Sequence, residues 1–309
     1  FTYYKHTDKL QAIDHRVGEY DFKRLVDFTY DDNGLLVSKN IAGIERLNYS
    51  YNLRQWLLEI SGEYFNETLC YNKEVDGTTP KNPLYSGNIS AQSWNTVYDS
   101  KNRSFDFSYD GLWRLTDAAY AELTGSGVNE GGYDAHYSYD SMGNMLCLTR
   151  NSAFDDGGFD PNDDVTFNYH GNQLIKSDNA IGGSCEQGSF HVSDKADMET
   201  EYFYDANGNM TKDLNKGIDD ITYNVLNLPN RVTFANGESI DYLYNSAGTL
   251  LQKKYYTSLS NIANPESIFS PLSVERSLKE QKDYCGNITY DRHWYNVLGI
   301  RPHVWLGLV

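Results

Sequence analysis

Polar and hydrophobic positions alternate along many short stretches of this chain, which is the pattern of β-strands with one covered face. In Tyr202-Phe-Tyr204 two tyrosines flank a spacer, and a period of two places both rings on one side of a strand. The same order of apolar residue, spacer, tyrosine and then Asp, Asn or His occurs in eight segments. Their second tyrosines are Tyr30, Tyr51, Tyr109, Tyr139, Tyr169, Tyr204, Tyr223 and Tyr244.

Turn-forming residues follow these tyrosines, so each segment predicts a β-hairpin. An Asp or Asn side chain accepts hydrogen bonds from the turn, and a glycine three residues later supplies the positive φ. In one segment the glycine follows the Asp directly, which predicts a tighter turn. The predicted turn residues are Asp31, Gly34, Asp110, Gly111, Asp140, Gly143, Asp205, Gly208, Asn245 and Gly248.

Single hairpins are marginally stable in water and gain stability when they pack side by side. The sequence therefore predicts an all-β fold, an elongated antiparallel sheet of stacked hairpins. We expect residues 1–309 to form a single repeat array. Its clear units are about 28–57, 107–115, 137–146, 167–174, 202–228 and 242–250, and 85–89 and 284–290 are weaker.

Stretches rich in glycine and acidic residues separate these units. They have no helical periodicity and are predicted to be loops. The one candidate helix is short and covers Ser273–Gln281. The predicted loops are 124–135, 151–164, 180–200 and 258–280.

The composition supports a β fold and narrows the partners. The 309 residues include 26 tyrosines and 13 phenylalanines, which favour pleated sheets. The net charge of −17 argues against nucleic acid and against anionic membranes as partners. No apolar stretch approaches the roughly 20 residues of a membrane helix. No signal peptide is visible from Phe1 onward.

The four cysteines are widely and irregularly spaced, and none belongs to a Cys-x-x-Cys motif. Such spacing gives little support to a zinc site. Buried free thiols are the favoured interpretation, and two disulfides remain an alternative. The cysteines are Cys70, Cys147, Cys185 and Cys285.

No motif predicts catalytic or cofactor-binding residues, and we expect no cofactor. The best metal candidate is an acidic cluster whose carboxylates would suit calcium. It lacks the spacing of a calcium-binding loop, so a solvated acidic loop is favoured. The cluster consists of Asp155, Asp156, Asp160, Asp163 and Asp164.

The repeats resemble those of the Rhs/YD-repeat family, which includes bacterial Rhs proteins, related wall-associated proteins and the C component of insecticidal toxin complexes. The most specific segments are Tyr109–Thr116, Tyr204–Asp213 and Tyr223–Pro229. The resemblance extends from about residue 20 to 290 and implies a sheet wound into a spiral or partial shell. In the best-known members such a shell is hollow and surrounds a toxic C-terminal domain. The core region that usually follows the repeats has no counterpart after Ile288, so self-cleavage is not assigned.

The first functional hypothesis is a non-catalytic scaffold of a secreted or cell-surface bacterial protein, as part of a toxin-encapsulating shell. Its implied partner is an enclosed C-terminal effector domain, and its implied location is extracellular or at the cell surface. The alternative is a surface module that binds carbohydrate, with cell-surface glycans as partners. An enzyme is the least favoured hypothesis.

Overall fold

The computed structural model describes most of the chain, which divides into two compact units, Phe1–Asp164 and Val165–Val309. The described residues are 1–16, 18–72, 83–99, 101–124, 127–153, 159–181, 199–258, 276–286, 288–293 and 303–308, with only the backbone at 124, 127, 129, 153, 159, 160, 276, 288 and 303–308.

The first unit is an antiparallel sheet in which successive strands are neighbours. One strand, β10, pairs with β9 along most of its length, with β12 near its start and with β11 near its end. The strands are β1 (Thr2–Tyr3), β2 (Leu10–His15), β3 (Lys23–Tyr30), β4 (Leu36–Ile41), β5 (Glu45–Tyr51), β6 (Leu57–Ser61), β7 (Phe65–Cys70), β8 (Ala91–Thr96), β9 (Asn102–Tyr109), β10 (Leu115–Thr124), β11 (Gly127–Glu130), β12 (Ala135–Tyr139), β13 (Met145–Ala153) and β14 (Phe159–His170), of which β14 continues past the unit boundary.

The second unit is also antiparallel, with the end of β14 paired to β15 and a consecutive meander from β16 to β24. Its strands are β15 (Gln173–Asn179), β16 (Tyr202–Tyr204), β17 (Met210–Asp213), β18 (Ile218–Tyr223), β19 (Pro229–Phe234), β20 (Ser239–Tyr244), β21 (Leu250–Ser258), β22 (Arg276–Cys285), β23 (Ile288–His293) and β24 (His303–Leu308). The predicted all-β antiparallel fold is confirmed. Whether the units form a single array stays a prediction.

Alternation along β5 shows how the sequence makes a sheet with two different faces. Leu47, Tyr49 and Tyr51 are half-buried, whereas Asn48 and Ser50 between them are exposed. Side chains of paired residues share a face, so the register places the partners of Asn48 on one side of the sheet, where exposure ranges from buried Ser38 to exposed Asn102. A cross-strand row of small polar residues follows, through Thr29, Ser38, Asn48, Ser61, Asn66, Asn95 and Asn102.

Aromatic packing supplies much of the covered face of the first unit. The Phe105 ring lies between Trp94 and Tyr120, at centroid distances of 5.7 and 5.3 Å. Tyr120 in turn meets Tyr133 edge-on at 4.9 Å. Such pairs add about 0.5–1.5 kcal/mol each to the burial of the rings. The alternating tyrosines and phenylalanines therefore hold neighbouring strands together where few aliphatic residues are buried.

Several predicted loops contain strands, and the predicted helix is wrong where the structure describes it. Residues 276–281 belong to β22, which pairs with β21 from Arg276 to Asp283. The interstrand hydrogen bonds of that ladder satisfy the backbone groups that a helix would otherwise pair internally. Likewise, 127–130 form β11, and 159–164 begin β14.

Candidate functional site

The turns that follow the tyrosines share one hydrogen-bonded geometry. At Asp140 the backbone N–H donates to the carbonyl of Asn144, and the Gly143 N–H donates back to the Asp140 carbonyl. The Asp140 carboxylate accepts the N–H groups of Met142 and Asn144, both at 2.8 Å. The same backbone pair recurs in seven turns, together with a bond from the N–H of the fifth residue to the side chain of the first. These turns begin at Asp31, Asn52, Asp110, Asp140, Asp205, Asn224 and Asn245.

Hydrogen bonding also lowers the pKa of three turn carboxylates, those of Asp110, Asp140 and Asp205. The side-chain amide of Asn144 holds the pKa of Asp140 below its ordinary value, and that of Asn209 does the same for Asp205. At Asp110 the Arg114 backbone N–H is the main cause of the lowered pKa. The oxygens of these carboxylates already accept hydrogen bonds within their own turns. They are therefore poor candidates for acid–base catalysis or for binding calcium.

The fourth position of each turn requires a positive φ, and not every turn places glycine there. Gly34, Gly143, Gly208 and Gly248 have φ values of 80–94°. Three turns instead hold Gln55, Trp113 and Asn227 at 56–64°. A left-handed backbone costs a residue with a side chain about 1–2 kcal/mol. The sequence analysis did not predict a positive φ at these three residues, because it located that position by the presence of glycine.

The structure differs from the sequence prediction at Asp110. Gly111 is not the residue with positive φ, because the turn has the same length as the others and the strained position falls on Trp113. A two-residue turn does occur elsewhere, where His170 pairs with Gln173 and Gly171 has φ of 62°.

In six of the eight predicted units, and at Tyr71, the structure shows the second tyrosine bonded to the unit before it. Its hydroxyl donates to a backbone carbonyl near the start of an earlier strand, at an O···O distance of 2.6–3.0 Å. Phenylalanine could fill the same space but could not make this bond. The bonds run from Tyr30 to Leu10, Tyr51 to Leu36, Tyr71 to Leu57, Tyr109 to Ile89, Tyr139 to Leu115, Tyr204 to Leu174 and Tyr223 to Met210.

One of these bonds reveals a unit that the sequence analysis overlooked. Tyr71 donates to the Leu57 carbonyl as the other unit tyrosines do to theirs. The segment reads Leu69-Cys-Tyr-Asn72, which has the repeat pattern but lacks a glycine three residues after the Asn. Gly87, at φ of 102°, precedes β8, and Ile89 accepts the hydroxyl of Tyr109. The weak unit at 85–89 therefore lies between β7 and β8, and residues 73–82 before it are outside the described residues.

Additional bonds join neighbouring turns of the first unit into one row. The Arg54 guanidinium donates to the Tyr85 carbonyl at 2.7 Å, and the Asn88 amide donates to the Trp113 carbonyl at 3.3 Å. Arg114 binds its own turn through Asp110 and donates to the Asp140 carbonyl of the next turn at 2.7 Å. We call the turns at 52–56, 83–89, 110–114 and 140–144 the turn row.

A buried polar network stabilises the second unit. The carboxylate of Glu201, which is 1% exposed, accepts the Ser177 N–H at 3.1 Å and the Asn215 amide at 2.6 Å. The same amide reaches the hydroxyls of Ser177 and Tyr202, which bond to each other at 2.8 Å. The network therefore joins β15, β16 and the turn after β17. Its groups bond to one another, which indicates a structural role.

The first unit also contains a buried acidic side chain, that of Glu122. Glu122 pairs with Lys101 at 2.8 Å and accepts the hydroxyl of Tyr120 at 3.0 Å. The Lys101 ammonium lowers the pKa of Glu122, while burial and the adjacent carboxylate raise the pKa of Tyr120 to about 12. Because its charge is compensated, this carboxylate has a structural role.

The predicted calcium cluster is only partly described. Asp155 and Asp156 lie outside the described residues, and at Asp160 only the backbone is described. Asp163 is not in a solvated loop but fully buried in β14, where Arg150 donates to it at 2.5 and 2.8 Å. Asp164 is half-buried in the same strand. Of the five predicted members, the side chains of Asp163 and Asp164 are described, and they belong to no metal-binding group of the described residues.

The described residues also limit other chemistries. They contain no group of three or more His, Cys, Asp and Glu side chains arranged to hold a metal ion. Cys70, Cys147 and Cys285 form no disulfide with one another, and Cys185 lies outside the described residues. The described segments include no helix with the length and hydrophobicity needed to cross a membrane.

Comparison with solved structures identifies the fold. The crystal structure of TcdB2-TccC3 has 15% identity and a TM-score of 0.58, covering 94% of this chain and 14% of that chain. TcdB2-TccC3-Cdc42 has 14% identity and a TM-score of 0.59, covering 97% and 14%. TcdB2-TccC3 without hypervariable C-terminal region has 14% identity and a TM-score of 0.58, covering 92% and 13%.

The chain thus spans a small fraction of the structures it matches, and at this identity the likeness shows the fold. No family model and no curated protein matches the sequence. The long antiparallel sheets that the repeats predicted are confirmed.

Proposed function

We propose, from the fold shared with a segment of TcdB2-TccC3, that this chain is a non-catalytic scaffold, one segment of a larger β-sheet shell around a toxic effector domain. The observation that carries the proposal is the unit-to-unit bonding. Seven unit tyrosines donate to a backbone carbonyl of an earlier unit, so hairpins within each compact unit are joined into a sheet. Such a sheet separates two spaces without needing a reactive site.

The chemistry of the described residues supports this role. Two buried carboxylates of the first unit, Asp163 and Glu122, are paired with Arg150 and Lys101. The buried Glu201 of the second unit accepts hydrogen bonds from Ser177 and Asn215. The turn carboxylates accept backbone N–H groups of their own turns. In such a sheet the charged side chains stabilise the fold through ion pairs and turn hydrogen bonds. We therefore expect the chain to catalyse no reaction.

The partner that we propose is a variable effector domain of the same full-length protein. One matched structure is TcdB2-TccC3 without hypervariable C-terminal region, so that protein has such a region. By analogy, the effector of this protein is enclosed by the sheet, and the assembly acts outside the bacterial cell.

The test is native proteolysis and electron microscopy of the full-length protein that contains this chain. We expect a hollow body and an internal segment that resists protease until the body is unfolded. The matched variant is Arg114→Ala, which loosens the turn row and should speed cleavage of that segment, whereas Lys5→Ala, an exposed change, should not. An open sheet with no protected segment would overturn the proposal. Glycan-array binding by such an open sheet would favour the carbohydrate-binding alternative.

A further inference from the structure

The turn row exposes hydrophobic side chains at successive turn tips. Trp113 is 54% exposed and Tyr85 is 61% exposed, although both are large aromatic residues. Leu53, Leu112 and Met142 at neighbouring tips are also exposed. Contiguous apolar groups on an acidic protein mark an interaction surface, and Trp, Tyr, Met and Arg are the residues that interfaces favour. The tips of the turn row are therefore a candidate binding surface.

Trp113 is held in a conformation that its turn does not favour. Its φ is 63°, at the position where four equivalent turns have glycine. The Asn88 amide fixes the Trp113 carbonyl, and the ring contributes to the wall of a surface cavity. Strained residues concentrate at binding sites, where the surrounding structure maintains them. An exposed tryptophan in a strained turn has no evident structural benefit, so ligand binding is its best explanation.

Two cavities lie along the row, one at the turn 52–56 and one at the turn 110–114. The first, of about 290 Å³, is lined by Leu53, Arg54, Trp56 and Tyr85, with Asn52 and Asn72. The second, of about 350 Å³, is lined by Leu84, Phe107, Tyr109 and Trp113, with Pro83 and Ser108. Among the described residues, aromatic side chains contribute to both walls, and each cavity has the volume to take an apolar side chain.

The distance between neighbouring turn tips indicates which kind of ligand fits the turn row. Successive turns of the row precede β6, β8 and β10, so they are two strands apart, which is about 9–10 Å. A polyproline II helix repeats every three residues, or about 9 Å. Side chains at every third position of such a peptide would meet successive tips and cavities. The peptide backbone carbonyls, which have no internal partners, could accept bonds from Tyr85, Trp113 and Arg54.

We propose that the turn row binds a proline-rich polypeptide segment in the extended polyproline II conformation, with apolar residues at every third position in the two cavities. Aromatic grooves recognise such segments because the peptide is already ordered before binding. The Arg54 guanidinium, stacked on Trp56 at 5.1 Å, adds a positive charge that favours an acidic residue in the segment. This site is independent of the proposed shell function.

The test uses the whole chain and a fluorescent peptide of repeated Leu-Pro-Pro triplets, with fluorescence anisotropy as the measurement. We expect Trp113→Gly to weaken binding about tenfold or more, because a central tryptophan is lost. Its melting temperature should stay equal or rise, since glycine fits the φ of 63°. Folding and binding are thereby separated.

The matched control is Asn227→Gly, which changes the same turn position in the second unit, at φ of 56°. It should leave the affinity unchanged. A peptide with serine in place of leucine should bind weakly. Equal binding by Trp113→Gly, or no binding of the Leu-Pro-Pro peptide, overturns the proposal. Binding of a chitin oligosaccharide that Trp113→Gly abolishes, without peptide binding, would also overturn it and assign the row to glycans.

Discussion

The guanidinium of Arg114 lies over the ring of Tyr139, 4.8 Å from its centroid, and the Tyr139 hydroxyl donates to the carbonyl of Leu115, the next residue after Arg114. One turn is thereby joined to the next by a cation–π contact and a hydrogen bond. The arrangement explains why the repeat uses tyrosine, whose ring and hydroxyl serve different partners.

Tyr139→Phe should destabilise the chain by about 1 kcal/mol. The ring and its contact with Arg114 remain, while the buried Leu115 carbonyl loses its donor. Urea unfolding followed by circular dichroism measures the change. Tyr137→Phe is the control, because Tyr137 lies on the same strand and the structure shows no hydrogen bond of its hydroxyl. Equal effects of the two substitutions would show that the hydroxyl bond contributes nothing.

Gly143→Ala and Gly111→Ala should have opposite effects. Gly143 has φ of 94°, where a Cβ costs about 1–2 kcal/mol. Gly111 has no positive φ and no atom within 4 Å of an added Cβ. Alanine there should be neutral or stabilising by about 0.5 kcal/mol, through loss of freedom in the unfolded chain. Thermal unfolding of both variants decides, and a destabilising Gly111→Ala would contradict this turn geometry.

Asp140→Asn should reduce the loss of stability in acid. The pKa of Asp140 is lowered in the folded chain, chiefly by the Asn144 amide. A lowered folded pKa gives stability that is present above the ordinary value, near 3.8, and is lost as the pH falls through the folded pKa. The stability difference between wild type and variant should therefore shrink toward acid.

Urea titrations at neutral and acidic pH measure that difference. Asparagine keeps an acceptor for the turn N–H groups, as Asn245 does in its own turn. Asp32→Asn, at an exposed turn residue for which the structure shows no hydrogen bond, should leave the pH profile unchanged. A pH-independent difference for Asp140→Asn would mean that the carboxylate charge does not matter.

Asn215→Ala should destabilise the second unit by about 2–3 kcal/mol. The substitution removes the amide that donates to Glu201 at 2.6 Å and leaves a buried carboxylate with fewer partners. Hydrogen exchange should show faster opening at Ser177, whose N–H binds the same carboxylate. Asn207→Ala, at an exposed turn tip, should change stability by less than about 0.5 kcal/mol. Similar losses of stability in both variants would show that the buried network contributes no more to stability than an exposed turn residue does.

Local patterns in the sequence predicted the strands and most turns, because period-two alternation and Asp-x-x-Gly spacing act within a few residues. The partners of the tyrosine hydroxyls could not be predicted, since Leu174 precedes Tyr204 by 30 residues. Trp113 at a positive φ was also beyond prediction, because the adjacent Gly111 offered a more usual turn residue. The short helix expected at Ser273–Gln281 was wrong where the structure describes it, because pairing with β21 outweighs local preference.

For the candidate site too, local features could be predicted from the sequence and long-range contacts could not. The aromatic residues of the turn row were visible in the sequence, but their alignment depends on strand register. Tyr85 and Trp113 are neighbours only because β7 to β10 pair in order. The acidic cluster, by contrast, looked like one site in the sequence, while Asp163 is drawn inward by Arg150.

The seven unit tyrosines described above share one direction, since each of their hydroxyls reaches a residue nearer the N-terminus, whereas Tyr4 near the start of the chain donates to the later residue Phe28. During translation, the acceptor of each of these seven bonds therefore leaves the ribosome before the tyrosine that fastens to it. The chain can fold vectorially, with each new hairpin added to an existing template and no need to wait for later residues. A circular permutation that cuts the chain between an acceptor residue and its tyrosine would reverse the order for that bond and should slow folding more than it lowers stability.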